Sequence, residues 1–217
     1  MEVASLFKRL IGGSWSCAFG LFIVFLALIV AAFAPWIAPY DPYKGDLRER
    51  NAFPSRNHLF GCDQQGRDVL SRIIYGTRYT LGAAVVCVMI GLVPGVIAGL
   101  AAGYYAGPVD FLLMRVVDFM MSFPYFLWAI MGITLLGPSM TNAVIAVGVS
   151  NIPQYIRIAR SPTLSVRNTA FVESARAIGA TELRIMTKHV FPQIISPLLV
   201  FTSLNMASVV LALAALG

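Results

Sequence analysis

An all-α, polytopic membrane protein is the fold class that three observations predict. The chain is 58% hydrophobic and only 12% charged, with a mean hydropathy of +0.77. Three long runs, 10–40, 79–109 and 119–156, contain no Asp, Glu, Lys or Arg. One charge at mid-bilayer costs a few kcal/mol on insertion scales, so uncharged runs of this length read as spanning helices. Basic residues crowd the segments between the runs and give a net charge of +6. These features exclude a soluble globular domain. They also exclude a nucleic-acid binder, because no basic stripe is interleaved with aromatics.

The first span is expected over about 15–37. Ala32-Phe33-Ala34 imitates a signal-peptide cleavage site, but the apolar run is too long for a signal core and long enough to cross. Lys8 and Arg9 place its N-terminus in the cytoplasm. Residues 38–78 form a polar excursion, irregular through Pro39, Pro42, Pro54 and Gly61. Within it, 67–75 turns amphipathic, with Val69, Leu70, Ile73 and Ile74 on one face, as in a helix lying at the membrane interface. A second span covers about 79–106. Its Gly91, Gly95, Gly99 and Gly103 recur every fourth residue, a spacing that lets helices approach closely in lipid.

Gly107-Pro108 turns the chain into a third span, which opens with Asp110, Arg115 and Asp118. Arg115 and Asp118 are three apart and can pair on one helix face. An ionisable group inside a span is a functional candidate; snorkelling and local pairing near the membrane edge are the competing reading. Pro124 should kink this helix. After Gly137-Pro138 a fourth span occupies 140–156, and a fifth occupies 193–217. The segment 157–192 carries Arg157, Arg160, Arg167, Arg176, Arg184 and Lys188, and the positive-inside rule makes it cytoplasmic. Residues 38–78 hold seven Lys and Arg of their own, so charge alone leaves the orientation near a tie. The chain divides into 1–78, a span with its loop, and a membrane core of 79–217.

The stretch 171–192 is the longest polar interruption of the C-terminal half. Phe171, Ala175 and Ile178 follow helical spacing, Gly179 suits a left-handed helix end, and Thr181 suits the N-cap of a second short helix. Leu183, Met186 and Val190 fall on one stripe of that helix, and Pro192 opens the next apolar run. Such a bent amphipathic pair can lie on lipid or dock into another protein.

Glu173, Ser174, Ala175, Gly179 and Pro192 resemble the Glu-Ala-Ala…Gly…Pro signature of permease subunits of ABC importers. Ser174 stands where Ala is usual, and His189 with Pro192 is similar to the peptide and nickel branch. The text Gly61-Cys62-Asp63, Gly66-Arg67-Asp68 and Ser71-Arg72 resembles a loop motif of the C-type permease of dipeptide, oligopeptide and nickel importers, with Cys62 replacing Thr. Asp110 to Asp118, followed by Ser122-Phe123-Pro124, is also similar.

The resemblance implies a helical bundle of the type I importer permease kind, with five spans present here and a sixth expected after them. It implies a coupling role for 171–192 and an extracytoplasmic position for 38–78. The implied partners are a second homologous permease, two ATP-binding subunits and an extracytoplasmic solute-binding protein in a prokaryotic cell membrane. ATP and Mg would reside on the ATPases, since no phosphate-binding loop occurs in this chain.

No enzymatic constellation is suggested. Cys17 and Cys87 lie in apolar runs and Cys62 in a loop, so no disulfide framework is indicated. His58 and His189 lack neighbours at metal-ligand spacing and read as packing or hydrogen-bonding residues. Peptides are the first substrate class and nickel the second. An ATP-independent channel or secondary transporter, or a membrane scaffold, are the readings from other classes.

Overall fold

A computed structural model describes residues 15–216, the side chain of Cys17 excepted. Lys8, Arg9 and Gly217 lie outside the described residues. Every element of length is helical: α1 (Trp15–Ile37), α2 (Val69–Tyr105), α3 (Gly107–Met121), α4 (Tyr125–Leu136), α5 (Met140–Val166), α6 (Ala170–Ala177), α7 (Glu182–Ile185) and α8 (Phe191–Leu216). The only β feature among the described residues is an isolated bridge between Cys62 and Asp68. The chain divides into two compact units, Met1–Gly82 and Ala83–Gly217.

In the first unit, α1 presents apolar side chains outward along most of its length. Trp15 and Trp36 are 94% and 80% exposed at its two ends. They are separated by roughly 31 Å of helix, about one hydrocarbon thickness, with indole rings where a membrane interface would hold them. The interfacial helix expected over 67–75 is instead the start of α2. This helix runs 37 residues without interruption, roughly 55 Å and well beyond a bilayer core. Its polar, amphipathic beginning is the projecting end of a spanning helix, which periodicity alone cannot separate from a surface helix.

The second unit is organised by α5. One cluster packs Ala84, Cys87 and Val88 of α2 against Val144, Val147 and Tyr155 of α5 and Val209 and Leu213 of α8. A second joins Val96, Ala159, Ile194 and Leu198. The four-residue glycine stripe lies along this seam. A Cβ on Gly95 would meet Tyr155 Cβ at 2.5 Å, and one on Gly99 would meet the Ile156 carbonyl oxygen at the same distance. On Gly103 it would stand 2.7 Å from the Arg160 carbonyl oxygen. The stripe therefore packs backbone against backbone, as its spacing predicts.

By length and composition, α1 from Ala18, α2 and Glu182–Leu216 can cross a membrane, and α3 with α4 makes a fourth span if counted together. Those two helices meet at 84°, so Pro124 breaks the third span rather than kinking it. Pro124 occupies the N-cap of α4, where its missing N–H costs nothing. At 27 residues α5 is long enough to cross, although polar side chains interrupt its apolar run. The buried Asn151 is satisfied inside: Asn205 Nδ2 donates to Asn151 Oδ1 at 2.9 Å, and Asn151 Nδ2 to the Val147 carbonyl at 2.8 Å.

Gly99→Ala should lower stability by about 1–3 kcal/mol through overpacking. Gly82→Ala, whose Cβ meets nothing within 4 Å, should stay within about 1 kcal/mol of the parent. Denaturant titration of the detergent-solubilised chain compares them; equal stability for the two variants contradicts the seam.

Candidate functional site

Two sets of sequence-predicted residues are brought together, one in each unit. In the 38–68 loop, the motif residues form a hydrogen-bonded knot. Gly61 and Gly66 take φ of +72° and +71°, and a Cβ on either would run into a carbonyl oxygen, of Ala52 at 2.4 Å and Asp46 at 1.8 Å. Both positions therefore require glycine. Asp63 Oδ1 accepts from the backbone N–H groups of Gln65 (2.8 Å) and Arg67 (3.0 Å). Its Oδ2 accepts from Arg67 Nε at 2.9 Å and from the Arg72 guanidinium. Burial opposes ionisation of Asp63, but these four donors outweigh it and hold its carboxyl far below the usual range.

Asp68 is 3% exposed. Its Oδ2 accepts from Ser71 N–H at 2.8 Å and Ser71 Oγ at 2.7 Å, and its Oδ1 faces His58 Nδ1 at 2.9 Å. Tyr40 N–H donates to Ser71 Oγ, which ties the end of the first helical segment to the knot. His58 Nε2 meets Glu49 Oε2 at 2.8 Å. Asp68 loses some ionisation to burial, yet its Ser71 and His58 partners lower its pKa on balance. The Asp68 hydrogen bond raises His58 above the ordinary histidine range, with Glu49 adding to it against burial. Burial pushes the Cys62 thiol up, and the charges of Glu49, Asp68 and Asp63 push it further. The part played by Tyr40, Glu49 and His58 was not legible in the sequence, because loop folding rather than helical spacing places them.

In the second unit, 171–192 forms a bent pair closed by Gly179 at φ +84°. Ala180 N–H donates to the Ala175 carbonyl (3.1 Å) and Gly179 N–H to the Arg176 carbonyl (3.0 Å), the Schellman pairing. Thr181 holds the N-cap position of α7, as expected, but its side chain makes no capping bond. Ser174 Oγ donates to the Ala170 carbonyl, and Glu173 is exposed in the first turn of α6. The apolar stripes differ from those expected. Val172 and Ala175 are buried in α6, whereas Phe171 and Ile178 are 43% and 86% exposed.

In the next segment Ile185 and Val190 are buried while Leu183 is 70% exposed. A π-turn over Met186–Val190 explains the shift: Phe191 N–H donates to Met186, five residues back. Pro192 has no N–H to return to Lys188, which favours this widened turn. A 3.6-residue stripe drawn through it falls out of register.

The pair is fastened to the membrane helices. Val172, Ala175, Ile185 and Val190 pack on Tyr104 at the end of α2. Tyr104 hydroxyl donates to Glu182 Oε2 and accepts from Arg176 Nη2 at 3.1 Å, and Arg176 Nε donates to Glu182 Oε1 at 3.3 Å. Arg167 Nη1 donates to the Tyr104 carbonyl at 3.0 Å. Glu182 and Tyr104 are 78 positions apart, so no local pattern announces this latch.

The Arg115–Asp118 pairing is corrected. Asp118 instead accepts from Arg157 Nη2 of α5 at 2.7 Å, and Arg115 lies 4.9 Å above the Phe111 ring. Asp110 pairs with Arg160 one turn further along α5. Both carboxylates thus face the basic end of α5, and an inter-helix partner prevails over the i, i+3 neighbour. The Arg157–Asp118 pair is about half exposed and contributes little on its own.

His58 carries the pH dependence of the knot. Its pKa is raised in the folded state, so its stabilisation is full below the unfolded value of about 6.5 and is lost as pH rises through the folded value. Asp63 and Asp68, lowered by folding, contribute above about pH 3.9 and lose that contribution as pH falls. Hydrogen-exchange protection of Val69 N–H, bonded to Gly61, should peak between these limits. His58→Gln should remove the alkaline-side fall; an unchanged profile contradicts the assignment.

Comparison with known proteins places the chain in a family. Residues 95–217 match the binding-protein-dependent transport system inner membrane component family, and residues 17–54 match the N-terminal transmembrane domain of oligopeptide transport permease C. A glutathione transport system permease protein GsiD of Pectobacterium atrosepticum is 36% identical over 211 residues, covering 97% of this chain and 70% of the relative. GsiD proteins of Escherichia coli O6:K15:H31 and Shigella boydii serotype 4 are 40% identical over 198 residues, 91% of this chain and 65% of theirs. The chain thus spans about two thirds of the length of the curated relatives it matches. It belongs to the inner-membrane permease family of binding-protein-dependent ABC importers, a family of non-catalytic membrane subunits, and within it to the peptide and nickel branch.

Proposed function

We propose that this chain forms half of the translocation path of an ATP-driven importer for small peptides, and that 171–192 couples it to cytoplasmic ATPases. The relatives are named for glutathione, itself a tripeptide, which supports di- and oligopeptides over nickel as the substrate class. The partners are a second homologous permease, two ATP-binding subunits that carry ATP and Mg, and an extracytoplasmic solute-binding protein. In this reading the N-terminus and 157–192 face the cytoplasm, while 38–68 faces outward.

The observation that carries the coupling reading is the outer surface of the bent pair. Ile178, at 86% exposure, and Leu183, at 70%, flank the Gly179 turn. Glu173 is exposed beside them and forms no salt bridge among the described residues. The opposite face is pinned by the Tyr104 latch. A small apolar surface with one carboxylate, on a rigid mount, suits insertion into a protein cleft. Movement of the ATPases would then pass through the latch to α2 and α5, shifting the spans between inward and outward access.

Gly179→Val costs about 1–2 kcal/mol at a positive-φ position, and Glu173→Lys reverses the exposed charge. Both should reduce co-purified ATPase per permease and substrate-stimulated hydrolysis while leaving membrane insertion intact. Tyr104→Phe should keep the surface but loosen its mount, retaining ATPase while lowering stimulation. Parental behaviour of both Gly179→Val and Glu173→Lys would favour a surface-lying amphipathic pair instead.

A further inference from the structure

We infer that the loop between the first two apolar helices contains a binding site for a borderline-soft divalent cation, with Glu49, His58 and Cys62 as ligands. The ligand atoms of these three side chains lie within 4.8 Å of one another. A carboxylate oxygen, an imidazole nitrogen and a thiolate sulfur are the donor set that Zn²⁺ favours over Mg²⁺ or Ca²⁺. Three protein ligands leave the fourth tetrahedral position to water.

The second observation is how His58 is held. Its Nδ1 faces Asp68 Oδ1 at 2.9 Å, and Asp68 is itself fixed by the Ser71 N–H and hydroxyl. A carboxylate on one imidazole nitrogen selects the tautomer that offers the other to a metal, the outer-shell arrangement of zinc-bound histidines. The nitrogen so offered, Nε2, is the one directed at Glu49, 2.8 Å away.

Two ligands on a tetrahedral ion at zinc bond lengths sit roughly 3.3–3.7 Å apart. The Glu49 carboxylate must therefore withdraw by about half an ångström. Its side chain is 45% exposed, against 11% for His58, so it can make that movement. Cys62 is 7% exposed and its backbone is fixed by the Ala52 carbonyl and the bridge to Asp68. Two ligands thus sit on fixed backbone, and side-chain adjustment within the 4.8 Å cluster brings all three to zinc spacing. The site does not depend on the transport reading.

Co²⁺ titration of the metal-stripped chain in detergent tests the proposal. One Co²⁺ per chain should bind with a thiolate charge-transfer band that Zn²⁺ abolishes. Cys62→Ser should remove the band and weaken Zn²⁺ binding by more than the roughly 10–100-fold expected for losing an outer-shell partner. Glu49→Gln, which removes the charge of a half-exposed ligand, should keep the band and weaken Zn²⁺ binding by roughly tenfold or more. Absence of the band in the parent, the same band in Cys62→Ser, or Zn²⁺ binding unaffected by both substitutions would each overturn the site.

Discussion

The close approach of α2 to α5 is the constraint on which the second unit depends. In a bilayer the lipid tails compete equally for apolar side chains, so helix association relies on contact that lipid cannot match. Glycines at 91, 95, 99 and 103 supply it by letting the α2 backbone touch α5 directly. That contact positions the remaining interactions. It sets Tyr155 toward Asn205, brings Thr163 and Arg167 beside the end of α2, and lets Tyr104 reach the segment after α5. Without the seam, the latch has no fixed support.

The latch turns this packing into a mount for a surface. Tyr104 is 6% exposed and meets the backbone-anchoring Arg167, the carboxylate of Glu182 and the guanidinium of Arg176. Four buried apolar residues cover its ring. The proposed docking side chains therefore project from a base tied to two long helices. The 38–68 knot is built on a different principle. It has little apolar core and is held by carboxylates that each accept several hydrogen bonds, with glycines where only positive φ fits.

Local periodicity made some of this legible and long-range pairing hid the rest. The glycine stripe and the Gly179 helix end each follow from one residue type at one spacing, whereas Pro124 marks the bend but not its size, an 84° break in place of a kink. The π-turn before Pro192 is not local in that sense. It moves the buried face from Leu183 to Ile185, so a regular stripe picks the wrong residue. Arg115 and Asp118 satisfy the pairing rule along one helix, yet Arg157, 39 positions away, takes Asp118 because α3 packs on α5. His58, Glu49 and Cys62 meet only once the loop has folded around Gly61 and Gly66. The 67–75 stretch has the pattern of an interfacial helix because a projecting spanning helix and a surface helix share the same periodicity.

The proposed coupling requires that the turn around Gly179 meet an ATP-binding subunit. A photo-crosslinker at Ile178 in the assembled importer tests it most directly, with the same probe at Leu204, 68% exposed on α8, as the control. Position 178 should give an adduct with the ATP-binding subunit and position 204 none. Adducts from position 178 with lipid alone would contradict it.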